Sequence, residues 1–212
     1  NQLAGTMKIA EMAKESGVRT LVGFQTRQAA YVKKVKEILE SGLLGRIIST
    51  SLYLTDTSNG ASMVDIDGGH LIDILDASDK PVGNPIPQDD IHQVVFGGQF
   101  GNKDATVLSV NLRHVRSEHG AGMFWVIDGE KGTIKMKAEK GPSFMRTQPE
   151  LWVNGEKVEV EQDSEAERSA RNWSKFADRA EGEFATIDDA LKAKRVVDAI
   201  FRSSREGRRI DL

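Results

Sequence analysis

The chain has no cysteine. That excludes disulfides, thiolate metal sites and cysteine nucleophiles together, and it fits a reducing compartment such as the cytoplasm. No apolar run approaches the roughly 20 residues of a membrane span, so no membrane association is expected. Positive charge is not in excess: 29 Lys and Arg face 32 Asp and Glu, for a net charge of −3. Direct nucleic-acid binding is therefore disfavoured, because no basic field exists to hold a phosphate backbone. The opening residues, NQLAGTMKIAEMAKESG, have no continuous apolar core and so are not a signal peptide. They also lack an initiator Met and begin inside a helical pattern, from which a longer protein is expected, with this chain starting partway through it. Repeats, low-complexity segments, G-x-S-x-G elbows and H-E-x-x-H motifs are all absent.

What remains is an ordinary globular composition over 212 residues, 39% apolar and 29% charged, long enough to bury a real core. Leu3, Met7, Ala10 and Ala13 form a helical stripe that Gly17 should end, since glycine enters the left-handed cap without steric cost. RTLVGF (19–24) then reads as a buried strand, making the last αβ step of a doubly wound sheet. A second helix is expected over Ala29–Leu39, with Tyr31, Val35, Ile38 and Leu39 facing inward and Gly42 and Gly45 beyond it. RIISTSLYLTD (46–56) reads as a strand. DKPVGNPIPQDD (79–90), with three of the five prolines, reads as loop. From His92 to Val160 the pattern is β, with strands at 92–100 and 105–113, a hairpin around Asp128–Gly132, and another turning on Asn154-Gly155. Strands joined by short links imply an antiparallel sheet. Ser164 with Glu167, and Thr186 with Asp189, are spaced as capping boxes for two closing helices. Ala166, Ala170, Trp173, Ala177 and Ala180 are expected to be the buried face of the first, which Gly182 should end. Ile187, Leu191, Val197, Ile200 and Phe201 should face inward from the second, which Gly207 should end. RRIDL is expected to close the chain as a short strand.

The richest chemistry lies in NGASMVDIDGGHLIDIL (59–75), where Asp65, Asp67, His70 and Asp73 crowd together. Asp67 is a natural N-cap for a helix starting at GGHLIDIL. His70 falls in the first turn, where the helix dipole disfavours the cationic imidazole and so leaves a usable proton acceptor. The bland alternative is a capped helix with solvated carboxylates and a half-buried histidine. FQTRQ follows the first expected strand, and residues just past a strand's carboxyl end line the ligand crevice in open α/β sheets. Gln25 and Arg27 can therefore face a substrate; otherwise Arg27 pairs with a carboxylate and opens the next helix. FGGQFG (96–101) is not a phosphate loop, because turn and strand rather than helix follow it; its glycines suit a bulge or turn between strands. His92, His114 and His119 have no companions that would make a metal site.

GVRTLVGFQTRQAAYVKKVKEILESGLLGRIISTSLYL, NGASMVDIDGGHLIDIL, FWVIDGEKGTIKM and FATIDDALKAKRVVDAIFRSSREGRRIDL, in this order, resemble the Gfo/Idh/MocA oxidoreductase family, and most closely its fungal galactose-repressor-like branch. The resemblance implies an α+β fold: a large, mostly antiparallel open sheet with helices on one face, preceded by the last αβ unit of a Rossmann domain. Residues 1–27 would be the C-terminal remnant of that dinucleotide-binding domain, and 28–212 a substrate-binding and oligomerisation domain. It implies His70 as the catalytic histidine. The family's aspartate position falls on Ile66, which Asp65 and Asp67 flank as substitutes. Gln25, Arg27, Asn59 and Asp73 would bind a sugar-like substrate. NAD or NADP would serve the full-length form, with none expected on this chain alone, and the antiparallel sheet would join copies into a homo-oligomer. Two functions stay open: part of an oxidoreductase acting on a sugar or cyclitol hydroxyl, or a non-catalytic, dinucleotide-sensing transcriptional regulator of the galactose-repressor type.

Overall fold

A computed structural model of the chain describes residues 2–56, 93–100, 106–114, 122–138 and 148–212. These fall into two compact units, residues 2–27 with 169–212, and the described residues between 28 and 168. The architecture is α+β.

The second unit is built on a sheet. Its strands are β1 (Ile47–Asp56), β2 (Gln93–Phe100), β3 (Thr106–His114), β4 (Gly122–Gly129), β5 (Thr133–Ala138), β6 (Glu150–Val153) and β7 (Glu156–Val158). They form one open seven-stranded sheet in the order β2-β3-β1-β4-β5-β6-β7. Every pairing is antiparallel except β1 with β3, where Thr50 lies opposite Leu108 and Leu54 opposite Leu112. The β2–β3, β4–β5 and β6–β7 hairpins have the short links their sequences imply. The parallel join is set by the longer connections around them, which local pattern does not reveal.

Helix α1 (Gln2–Ser16) belongs to the first unit; α2 (Ala30–Glu40) covers one face of the sheet. Tyr31, Val35 and Ile38 of α2 meet Ile127, Ile134, Met136 and Leu151 in a single core, with Leu44 filling its edge. Leu39 was expected in this stripe and is exposed, because it lies a further step round the helix from the Val35–Ile38 line. Asn154 and Gly155 both take positive φ, 53° and 86°, as the tight β6–β7 turn requires. On the opposite sheet face Tyr53, Val95, Val107 and Phe124 are exposed. There Arg113 Nη1 donates to Tyr53 Oη at 2.7 Å, and this bond lowers the Tyr53 pKa from its ordinary value.

A buried polar clamp fixes the start of α2. Asp163 Oδ2 accepts the Ala30 N–H at 2.9 Å, while Asp163 Oδ1 pairs with Arg168 Nε at 2.7 Å. Arg168 Nη2 also donates to the Asp163 carbonyl, as does Gln148 Nε2. Arg168 lies among the largest fully buried side chains, its guanidinium 5.6 Å from the Tyr31 ring centre. Burial pushes the Tyr31 hydroxyl above its usual pKa, with Arg168 opposing that shift.

The first unit is helical. In α1, Ala10 and Ala13 are buried, and Gly17 caps the helix at φ 64°. Met7 is exposed rather than inward, since the small side chains of Ala10 and Ala13 define the buried line. RTLVGF has no regular secondary structure and forms no strand. Among the described residues no strand pairs with it: Val22 N–H donates to the Ala185 carbonyl at 2.8 Å, and the Val22 carbonyl accepts from Asn172 Nδ2 at 3.3 Å. RRIDL likewise has no regular structure.

Helix α3 (Glu165–Ala177) has the Ser164–Glu167 capping box, with the Ser164 N–H donating to Glu167 Oε2 at 2.7 Å and the Glu167 N–H donating to Ser164 Oγ at 3.2 Å. Its buried face is not the one expected. Ala166, Ala170, Trp173 and Ala177 are exposed, Trp173 at 63%, whereas Arg168 and Asn172 are buried. The polar residues turn inward because each finds a specific partner there, Asp163 for the first and the Val22 carbonyl for the second. α4 (Ile187–Glu206) opens on Thr186, whose N–H donates to Asp189 Oδ2 at 3.0 Å, and ends at Gly207 with φ 63°. Ala199 is buried and Ile187, Leu191, Val197, Ile200 and Phe201 are half-buried, as their spacing predicts.

Candidate functional site

Asn59, Asp65, Ile66, Asp67, His70 and Asp73 lie outside the described residues, as do His92 and His119. Of the expected site, Gln25 and Arg27 can be placed. Both sit in a single 3-10 turn, Gln25–Gln28, that follows the irregular run 18–24. Gln25 is half-buried.

Arg27 is fixed from the start of α4. Its Nη1 donates to the Phe184 carbonyl at 3.3 Å and approaches Asp189 Oδ2 at 3.4 Å. Asp189 therefore does two tasks: it caps α4 through the Thr186 N–H and holds the Arg27 guanidinium. The Thr186 hydrogen bond is the main reason its carboxyl titrates below the usual aspartate range; partial burial opposes this and Arg27 adds to it. The Arg27 side chain stays 38% exposed, so a cation anchored at one edge still faces solvent. The Thr186–Asp189 spacing was legible as a cap. Its second role as the partner of Arg27 was not, since 162 residues separate the two.

The same region is braced by contacts that no short motif signals. Ile187 N–H donates to Thr20 Oγ1 at 3.0 Å. Arg19 Nη1 donates to the Phe176 carbonyl at 2.6 Å and its guanidinium lies 4.3 Å from the Phe176 ring centre. Phe176 and Phe184 meet edge to face at 5.4 Å. Segment 18–27 is thus tied to α3 and α4 at several points, which gives Arg27 a rigid base.

No family model matches the chain. It is 29% identical to the dehydrogenase aclE of Aspergillus oryzae, across 98% of this chain and 68% of that protein. A shorter match, 30% identical over 32% of this chain and 19% of the other, is to the galactose/lactose metabolism regulatory protein GAL80 of Saccharomyces cerevisiae. Among solved structures, a super-repressor mutant of Gal80p from Saccharomyces cerevisiae superposes with a TM-score of 0.72 at 17% identity, covering 99% of this chain and 69% of that one. The WlbA dehydrogenase of Bordetella pertussis, in complex with NADH and UDP-GlcNAcA, gives a TM-score of 0.61 at 19% identity, covering 99% and 68%. Homologues and fold neighbours of this chain are Gfo/Idh/MocA-type oxidoreductases and Gal80.

A Gfo/Idh/MocA-type dinucleotide site needs a glycine-rich turn opening a helix, and the described residues do not provide one. Gly97 and Gly98 lie inside β2, opposite Ser109 and Leu108, in an unbroken register. They make neither the phosphate loop that was rejected nor the bulge or turn that was expected. A Cβ on Gly97 would stand 3.2 Å from the Leu108 carbonyl oxygen, so glycine there serves close strand approach. Among the described residues no cluster of His, Asp and Glu could hold a metal ion, and no helix is long and apolar enough to cross a membrane.

Proposed function

We propose that this chain is the substrate-binding and oligomerising part of a Gfo/Idh/MocA-type NAD(P)-dependent oxidoreductase acting on a sugar or cyclitol hydroxyl. The observation that carries the reading is the match to a dehydrogenase along 98% of the chain, supported by the shared α+β fold. In this reading residues 1–27 complete a Rossmann domain, and residues 28–212 supply the substrate site and the sheet face through which copies associate. His70, flanked by Asp65 and Asp67, exchanges a proton with the reacting hydroxyl, and Gln25, Arg27, Asn59 and Asp73 orient the sugar. The dinucleotide is held by residues other than those described, so no step of its chemistry is assigned to them. The cytoplasm is the proposed compartment.

A second reading, a non-catalytic regulator that senses a dinucleotide and acts through a protein partner, is favoured by the similarity to GAL80. The test is turnover by the full-length protein with NAD or NADP and a panel of sugars and cyclitols, beside its His70→Ala variant. The enzyme reading expects the variant to lose about 100-fold or more in kcat. Unchanged turnover would return His70 to a structural role. Dinucleotide binding without turnover of any sugar would leave the regulator.

A further inference from the structure

The β6–β7 turn joins a reactive dipeptide to an unusual restraint. Asn-Gly is the pair in which a backbone nitrogen most easily attacks a side-chain amide, because glycine offers no side chain to block the approach. Asn154 is exposed and sits at φ 53°, with Gly155 at φ 86°. Exposure and sequence alone mark it for spontaneous deamidation. The fold opposes that in two ways. Asn154 Oδ1 accepts the Thr133 N–H at 2.8 Å, and the Asn154 N–H donates to the Thr133 carbonyl at 2.9 Å. The side chain thereby extends the β5–β6 ladder by one rung. The carboxamide also lies flat against Gly132: a Cβ there would come 2.2 Å from Oδ1 and 2.9 Å from Cγ and Nδ2. Only glycine at 132 leaves room for it.

We propose that Asn154-Gly155 is a modification site kept closed by the fold, deamidating when the β5–β6–β7 hairpins open and so recording past unfolding of this part of the chain. The reaction needs water and no other partner. The Gly155 nitrogen attacks Asn154 Cγ, forming an N–C bond as the Cγ–Nδ2 bond breaks and ammonia leaves. Water then opens the cyclic imide at either carbonyl, giving aspartate or isoaspartate. To reach that geometry, the carboxamide must leave Thr133 and the turn must abandon its tight conformation. Aspartate keeps an oxygen for the Thr133 N–H. Isoaspartate inserts a methylene into the backbone between 154 and 155, which a tight turn cannot absorb, so that product would not refold into the same register.

The inference is independent of the proposed enzyme activity. It is tested by incubating the full chain at mildly alkaline pH, folded and in urea, and following the peptide that contains residues 154 and 155 by mass spectrometry with isoaspartate detection. Folded protein should deamidate at Asn154 about tenfold or more slowly, the factor expected when an interaction of about 1.4 kcal/mol must be lost first. Equal rates in both conditions would overturn the proposal. Gly132→Ala, which displaces the carboxamide, gives the second measurement, with circular dichroism to follow folding. Whether folded or not, it should deamidate faster in buffer than the folded parent, and a rate equal to the parent's would overturn the proposal too. Gly155→Ala should slow the reaction in urea, tying the signal to this dipeptide.

Discussion

Asp163 caps the start of α2 from a distance of 133 residues, accepting the Ala30 N–H at 2.9 Å. Its other oxygen holds the buried Arg168, so one carboxylate serves as a helix cap and as the counter-ion of a buried cation. Removing it should do more harm than an ordinary cap loss. Asp163→Ala leaves the buried guanidinium without this carboxylate, a change that costs about 3–5 kcal/mol. Asp163→Asn retains an acceptor for Ala30 and should cost less than Asp163→Ala. Urea unfolding of the variants measures both; equal midpoints for Asp163→Ala and the parent would remove the clamp from the account.

Gly129 faces Leu44 with no free space. A Cβ there would stand 2.3 Å from the Leu44 carbonyl oxygen and 2.8 Å from its Cβ. Backbone atoms cannot swing aside as a side chain can. Gly129→Ala should therefore cost about 2 kcal/mol or more, lowering Tm by several degrees in a chain of this size. Gly98→Ala, with open space around it, is the matched control and should shift Tm much less.

Acid should loosen the start of α4 through Asp189. Its folded pKa lies below the ordinary value, so it contributes stability that is present above the unfolded pKa of about 3.9 and is lost as pH falls through the lower folded value. Asp189→Asn should flatten the acid limb of the stability curve below about pH 4. Arg27→Ala should flatten it only in part, because the Thr186 hydrogen bond is the larger cause. A curve for Asp189→Asn that parallels the parent's below that pH would show the carboxylate to be uncoupled from folding.

Trp173 and Arg168 offer the sharpest contrast on α3. Trp173, at 63% exposure, should tolerate replacement by alanine with a change of about 0.5 kcal/mol or less, whereas Arg168→Ala should be among the most damaging single changes in the chain. Denaturant midpoints of the two variants decide it, and the reverse order would mean that the helix faces are assigned the wrong way round.

The dinucleotide prediction follows from the strand setting of Gly97 and Gly98. Fluorescence titration of this 212-residue chain with NADH should give no saturable binding. A tight, saturable signal would mean that a dinucleotide site exists within it.

What local pattern revealed and what it missed divide along a physical line. Signals that act within a few residues were legible: the Ser164–Glu167 and Thr186–Asp189 boxes, the cap glycines 17 and 207, and the Asn154-Gly155 turn. The features that escaped depend on a distant partner. RTLVGF has the composition of a strand, but a strand exists only when another pairs with it, and Val22 bonds instead to Ala185. The α3 stripe of alanines and Trp173 looked buried on hydrophobicity, yet Asp163 and the Val22 carbonyl draw Arg168 and Asn172 inward. Arg27 belongs to the same class, since nothing near it in sequence names Asp189. For the site itself, Gln25 and Arg27 were placed near a strand end by position alone, while the residues around His70 lie outside those described.

The parallel β1–β3 join has a consequence for how the sheet assembles. Short turns join β4 to β5 and β6 to β7, and only residues 139–149 lie between β5 and β6, so the contacts of these strands close small loops and can form early. Strand β1 meets β4 and β3 only across long stretches of chain, and the β2–β3 hairpin can enter the sheet only once β1 offers an edge. The order of strands in space is therefore also an expected order of protection. Amide hydrogen exchange should be slowest in β4 and β5, where Ile127, Ile134 and Met136 are buried, and fastest in β2, the outermost strand beyond the parallel seam.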